Sequence, residues 1–194
     1  MNDEQNKEHK VLITGTGRAG TTFLVALLTE LGLDTGFKCG EWQTHINDVP
    51  AFAGLEYNIT GSHYILKNPE FSTQIKNIYN RCNIDHIYIP IRDLKSASES
   101  RIYYGSGRGG LWDTKNPGDQ ESILAYQLGY LFESLILLDI PFTALNFYQM
   151  IQDAQYTYNK LNFLVKHISF DHFKDIFENV SYIFAQHSRN NKNE

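Results

Sequence analysis

Residues 15–22, GTGRAGTT, carry the spacing of a GxxxxGK[ST] loop, with Thr21 where that pattern has lysine. Gly15, Gly17 and Gly20 let the backbone curl until its N–H groups converge. A helix opening at Thr21 adds the positive end of its dipole, and Thr21 and Thr22 add hydroxyls. The chemistry such a nest supports is capture of a phosphate. The nearest cation is Arg18, inside the loop, whereas a triphosphate with Mg²⁺ normally wants an ammonium on its β and γ groups. The glycines also spell GxGxxG. Asp34, however, lies 14 residues past Gly20 and follows no clear strand, which speaks against a dinucleotide fold.

A second anion clamp is legible in IPIRDLKSASESR, residues 89–101. Arg92 follows an apolar strand-like run, and Ser100 comes eight residues later, two turns along the next helix. A guanidinium at a strand end and a hydroxyl on that helix can grip a phosphate together. Ser96 and Ser98 are less well matched donors, and pairing of Arg92 with Asp93 is the plainer reading of the arginine alone. Lys67, in ILKNPEF, is delivered to the same edge by another short apolar run.

These residues need strands that end beside one another. Val11–Thr14, Tyr64–Lys67, His86–Ile91 and residues 140–147 read as strands, with Pro90 unusual for a central one. Helices are expected over Thr21–Leu31 with Gly32 as the stop, then about 70–79, 94–104, 120–138, 154–167 and 171–179. Residues 33–63 carry no clear period. The alternation predicts an α/β fold, a three-layer α/β/α arrangement around a central parallel sheet, with ligands at the carboxyl ends of the strands.

The 194 residues suit one domain over 1–194, with 1–9 and 188–194 expected to be flexible. A formal net charge of −5 argues against a nucleic-acid partner, so an anionic ligand needs local positive charge. Cys39 and Cys82 form no metal-ligand or disulfide framework, and no metal is expected. The polar start MNDEQNKEHK is unlike a signal peptide, and no apolar run is long enough for a membrane span. A reducing, cytoplasmic compartment is the expectation. His45 and His63 are candidates to line an acceptor pocket. Residues 105–119, with Arg101, Arg108 and Trp112 in or beside them, are a candidate lid.

GRAGTTF resembles the 5′-phosphosulfate loop of sulfotransferases, which use 3′-phosphoadenosine 5′-phosphosulfate as donor. The resemblance implies a P-loop NTPase-like sulfotransferase fold. It assigns the donor's 5′-phosphate to Gly17, Arg18, Ala19, Gly20, Thr21 and Thr22. Arg92 and Ser100 match the family's 3′-phosphate motif. FKCGEW, 37–42, resembles the RCGEE segment of tyrosylprotein sulfotransferases and implies Glu41 as general base. ILKNPEF resembles the KDP segment of the same group and implies that Lys67, with Arg18, stabilises the transferring group. Soluble hormone- and phenol-type members carry a catalytic histidine where this chain has Pro69. Residues 145–165 resemble the RYEDL layout near the end of many members, with Asn146 at the usual arginine.

The implied function is transfer of a sulfuryl group to a hydroxyl acceptor of unknown class, leaving adenosine 3′,5′-bisphosphate, with no metal. Two other readings fit the loop. One is a small P-loop kinase using ATP–Mg²⁺, with Asp93 as the residue to watch. The other is a nucleotide-binding module without catalysis.

Overall fold

The computed structural model describes residues 7–48, 51–105 and 119–190. Four parallel strands form the main sheet, in the order β4 (Ile65–Lys67), β1 (His9–Ile13), β5 (Asn83–Ile91), β6 (Phe142–Asn146). The register pairs Ile13 with both Lys67 and Tyr88, so β1 and β4 end side by side. Period-two alternation sorts the side chains of these strands between two cores. Val11, Ile13, Ile65 and Tyr88 face one layer, and Leu12, Leu66, Ile87 and Ile89 face the other. With both faces covered, the strands read as continuous apolar runs, as buried parallel strands do.

The first layer holds α1 (Thr21–Glu30), α5 (Phe147–Gln152), α6 (Ala154–Lys160), α7 (Asn162–Val165) and α8 (Phe170–Asn190). Helix α1 is buried at every residue from Thr21 to Thr29, so it sits against the sheet on one side and α8 on the other. Phe23 packs edge-on to Phe177 at 5.8 Å and to Phe184 at 5.4 Å between ring centroids. The second layer contains α2 (Phe71–Tyr79) and α4 (Gln120–Leu137), with α3 (Leu94–Tyr104) packed on α4.

Pro90 does lie in a central strand. Strand β1 pairs with β5 only as far as Tyr88, so Pro90 has β6 as its ladder neighbour and its missing N–H costs no bond to β1. Helix α8 runs well past residue 179, with Phe173, Phe177, Val180 and Phe184 continuing one apolar stripe beyond that point. The helix expected over 154–167 is instead two, broken at Leu161. Strand β1 begins at His9 and α8 continues to Asn190, both inside segments expected to be flexible. Residues 33–63 hold a 3₁₀ turn (Trp42–His45) and a small antiparallel pair, β2 (Ile46–Asp48) with β3 (Ala53–Gly54). Among the described residues, no helix is long and apolar enough to cross a membrane.

Candidate functional site: a cation-rich glycine loop

The glycine loop connects β1 to α1 at the carboxyl edge of the sheet. It turns through left-handed backbone at Gly17 (φ 68°), Arg18 (φ 54°) and Gly20 (φ 87°). Gly20 is the N-cap of α1 with no side chain to cap it, so the first-turn N–H groups are left for another acceptor. The loop is closely packed from behind. A Cβ on Gly20 would lie 2.6 Å from Met150 Cε and 3.0 Å from the Phe147 ring, both on α5.

Four cations converge on this loop from three further elements as well as from the loop itself. Arg18 Nε donates to Ser100 Oγ at 3.1 Å, its Nη1 donates to the Ala51 carbonyl at 3.0 Å, and its guanidinium lies 4.5 Å from the Tyr104 ring centroid. Arg92, just past β5, donates from Nη1 to the Arg18 carbonyl at 3.4 Å and lies over the Phe147 ring. Its Nε is buried without a hydrogen-bond partner. Arg101, on α3 and 3% exposed, donates to the Thr16 carbonyl. Lys67, the last residue of β4 and 2% exposed, donates to Thr22 Oγ1 at 3.4 Å, the Gly54 carbonyl at 2.9 Å and Glu56 Oε1 at 2.8 Å.

Burial and mutual repulsion mark the cluster. Burial pushes the Lys67 pKa down, the Glu56 carboxylate opposes that shift, and Arg18 adds to it. Burial, with Arg18 behind it, presses the Arg101 guanidinium from 12.5 to about 9. Both groups are held where their charged forms are disfavoured, so an anion placed among them is attracted by both.

The structure brings Arg18, Thr22, Lys67, Arg92 and Ser100 together, with Gly17, Ala19, Gly20 and Thr21 in the same loop. It does not bring Glu41 into contact with them. Glu41 is exposed and its carboxylate lies 3.8 Å from Lys38 Nζ. The segment around it is held by Glu30, whose carboxylate accepts from Cys39 Sγ, Gly40 N and Trp42 Nε1. Glu30 is the last residue of α1, about 14 Å of helical rise from the loop at the first. In this arrangement Glu41 is positioned by the segment that Glu30 holds, and its carboxylate faces Lys38. Sequence spacing does not reveal that clasp.

Sequence reasoning also missed two members. Arg101 reads from sequence as lying beside the lid candidate, whereas it sits on α3 with its guanidinium at the Thr16 carbonyl. Glu56 sits in the stretch without a period, and no signal pointed to it. Of the remaining candidates, His45 is exposed and packs on Phe37, while His63 is paired with Asp34 at 2.8 Å. Ser96 N donates to Asp93, and Ser98 Oγ donates to the Lys95 carbonyl. Asn146 caps α5 by accepting from Tyr148 N and Gln149 N. Of the candidate lid, residues 106–118, with Arg108 and Trp112, lie outside the described residues.

Asp93 spends its carboxylate on the N–H of Ser96 and on the Tyr148 hydroxyl at 2.8 Å. Those contacts hold its pKa down at about 2. Among the described residues, no group of three or more His, Cys, Asp and Glu is arranged to hold a metal ion. A cavity of about 340 Å³ lies elsewhere, at the amino ends of β1 and β5, lined by Lys10, Arg81 and Cys82 among others. Its Lys10 Nζ is already taken up by Gly61 O, His63 O and Glu8. Comparison of the chain with protein-family models, curated proteins and solved structures finds no match.

Proposed function

We propose that this protein is a sulfotransferase with a P-loop-type donor site, moving a sulfuryl group from 3′-phosphoadenosine 5′-phosphosulfate to a hydroxyl acceptor. The observation that carries the reading is the convergence of Arg18, Lys67, Arg92 and Arg101 on one uncapped glycine loop. A single loop phosphate needs fewer cations than this. A donor that carries two phosphates and a sulfuryl group offers them several separate anionic oxygens.

In this reading the loop N–H groups and the Thr21 and Thr22 hydroxyls hold the 5′-phosphate. Arg92, bonded to the Arg18 carbonyl, and Ser100, bonded to the Arg18 guanidinium, hold the 3′-phosphate. The buried, unpartnered Arg92 Nε fits a ligand that supplies an acceptor. Lys67 and Arg18 face the sulfuryl and bridging oxygens, where negative charge grows as the bond to phosphate breaks. Each oriented cationic donor contributes about 3 kcal/mol of transition-state stabilisation, by analogy with oxyanion-hole donors. The threonine at position 21 is accounted for as well: a donor without a γ-phosphate needs no lysine there, and the ammonium arrives from β4 instead.

The kinase alternative asks Asp93 to bind Mg²⁺, and that carboxylate is engaged in capping α3 and in holding Tyr148. The test is incubation with 3′-phosphoadenosine 5′-phosphosulfate and a panel of sugar, phenol and aliphatic hydroxyl acceptors. Acceptor-dependent release of the bisphosphate is expected. Consumption of ATP–Mg²⁺ by the same protein, with the phosphosulfate untouched, would replace this reading with a kinase.

A further inference from the structure

Lys67 joins two parts of the site. One of its hydrogen bonds reaches Thr22 in the first turn of α1, and another reaches Glu56, just after β3. A third, to the Gly54 carbonyl, fastens that segment to the loop. The pair is asymmetric in exposure: the lysine side chain is 2% accessible and the glutamate side chain 43%. The carboxylate thus lies between a buried ammonium at the phosphate loop and the solvent from which an acceptor arrives.

We propose that Glu56 is the general base of this site, the group that takes the proton from the acceptor hydroxyl. The proposal rests on the sulfotransferase reading. The other nearby carboxylates are less suited. Asp93 is engaged by Ser96 and Tyr148, and Glu41 contacts Lys38 rather than the loop. The 2.8 Å contact with Lys67 Nζ holds the Glu56 carboxylate at the edge of the phosphate loop, with its side chain still 43% accessible to an arriving hydroxyl.

The step balances without another reactant. The acceptor O–H bond breaks and its proton goes to a Glu56 carboxylate oxygen. The freed oxygen pair forms the new O–S bond. The S–O bond to the 5′-phosphate breaks, and its electron pair stays on the phosphate oxygen, facing Lys67 and Arg18. Glu56 then returns the proton to water. Lys67 touches base and leaving group alike, so proton acceptance and charge development are linked through one ammonium.

The experiment uses the whole chain and two probes: calorimetric binding of adenosine 3′,5′-bisphosphate, and hydrolysis of 3′-phosphoadenosine 5′-phosphosulfate with water as acceptor. Glu56→Gln keeps an acceptor for Lys67 and removes a negative charge beside the loop. It is expected to bind the bisphosphate at least as tightly as wild type while turnover falls about 100-fold. The acid limb of the kcat–pH profile is expected to disappear with it. Glu56→Asp, which keeps the charge but withdraws the carboxylate, should bind normally and turn over more slowly. It also covers the case in which Glu56→Gln does not fold, which thermal unfolding would reveal.

Turnover within about threefold of wild type in Glu56→Gln, with the acid limb intact, overturns the proposal. So does loss of turnover in Glu41→Gln alone, which would move proton acceptance to Glu41. A wild type that binds the bisphosphate but leaves the donor intact also counts against a base at Glu56. A wild type that binds no bisphosphate removes the sulfotransferase reading itself. The two failures are thereby distinguishable.

Discussion

Arg18 Nε donates to Ser100 Oγ at 3.1 Å, tying the glycine loop to the second helical turn of α3. The bond fixes the side chain of the loop's own cation and places the hydroxyl beside it. Ser100→Ala removes the acceptor. The expected cost is about 1 kcal/mol of stability in urea unfolding, with bisphosphate affinity falling several-fold. Ser100→Thr, which retains the hydroxyl, should restore most of both. An alanine variant unchanged in stability and in affinity would show that this contact matters to neither.

Two glycines separate backbone strain from crowding. Gly32 has φ 77° and nothing within 4 Å of an added Cβ, whereas Gly20 has φ 87° and meets Met150 and Phe147 at 2.6–3.0 Å. Alanine at position 32 is expected to cost about 1 kcal/mol, the left-handed penalty alone. Alanine at position 20 adds overpacking against α5 and should cost about 2–4 kcal/mol in total. Equal losses in chemical denaturation would contradict the close packing of loop on α5.

Ligand anions should stabilise the protein strongly, because Lys67 and Arg101 carry charges that burial opposes. At bisphosphate concentrations near 100 times Kd, linkage gives about 2.7 kcal/mol, or about 5–10 °C in Tm for a chain of this size. Equal ionic strength of sodium chloride serves as the control for general salt effects. Arg101→Met should lose most of the bisphosphate-induced shift. A shift as large in the variant as in wild type would remove Arg101 from the anion site.

His86 gives the pH dependence a definite sign. It lies half-buried on β5, bonded to Thr143 and stacked on Phe163, and burial lowers its pKa from 6.5. A histidine whose folded pKa is depressed binds fewer protons folded than unfolded between that pKa and 6.5. Its contribution is therefore fully present above pH 6.5 and is lost as pH falls through the lower folded value. Urea midpoints should drop between pH 7.5 and pH 5, and His86→Gln should flatten that slope. An equally steep slope in the variant would place the titration elsewhere.

The elements with strong local signals were legible from the sequence. Helix α3 runs over Leu94–Tyr104 as its pattern predicts, and the glycine stop at Gly32 marks the end of α1. Arg92, Ser100 and Lys67 were readable because each follows or trails a strand by a fixed count, and a parallel sheet converts such counts into neighbourhood. Glu56, Arg101 and the surroundings of Glu41 were not. Strands β2 and β3 have three and two residues, too short to show alternation, so nothing fixed the path of the chain between α1 and β4. The grip of Glu30 on Cys39, Gly40 and Trp42 is a tertiary contact with no local signature. Arg101 stands near the end of a helix, and its contact with the Thr16 carbonyl is a tertiary one with no local signature.

The central claim is that two anion positions share one cation cluster and take a bisphosphorylated adenosine. Its most direct test is calorimetric titration with adenosine 3′,5′-bisphosphate beside ATP–Mg²⁺, repeated on Arg92→Ala. The expected result is tight, saturable binding of the bisphosphate, weak binding of ATP–Mg²⁺, and a loss of about 10- to 100-fold in bisphosphate affinity in the variant. Preference for ATP–Mg²⁺, or bisphosphate binding indifferent to Arg92, would contradict it.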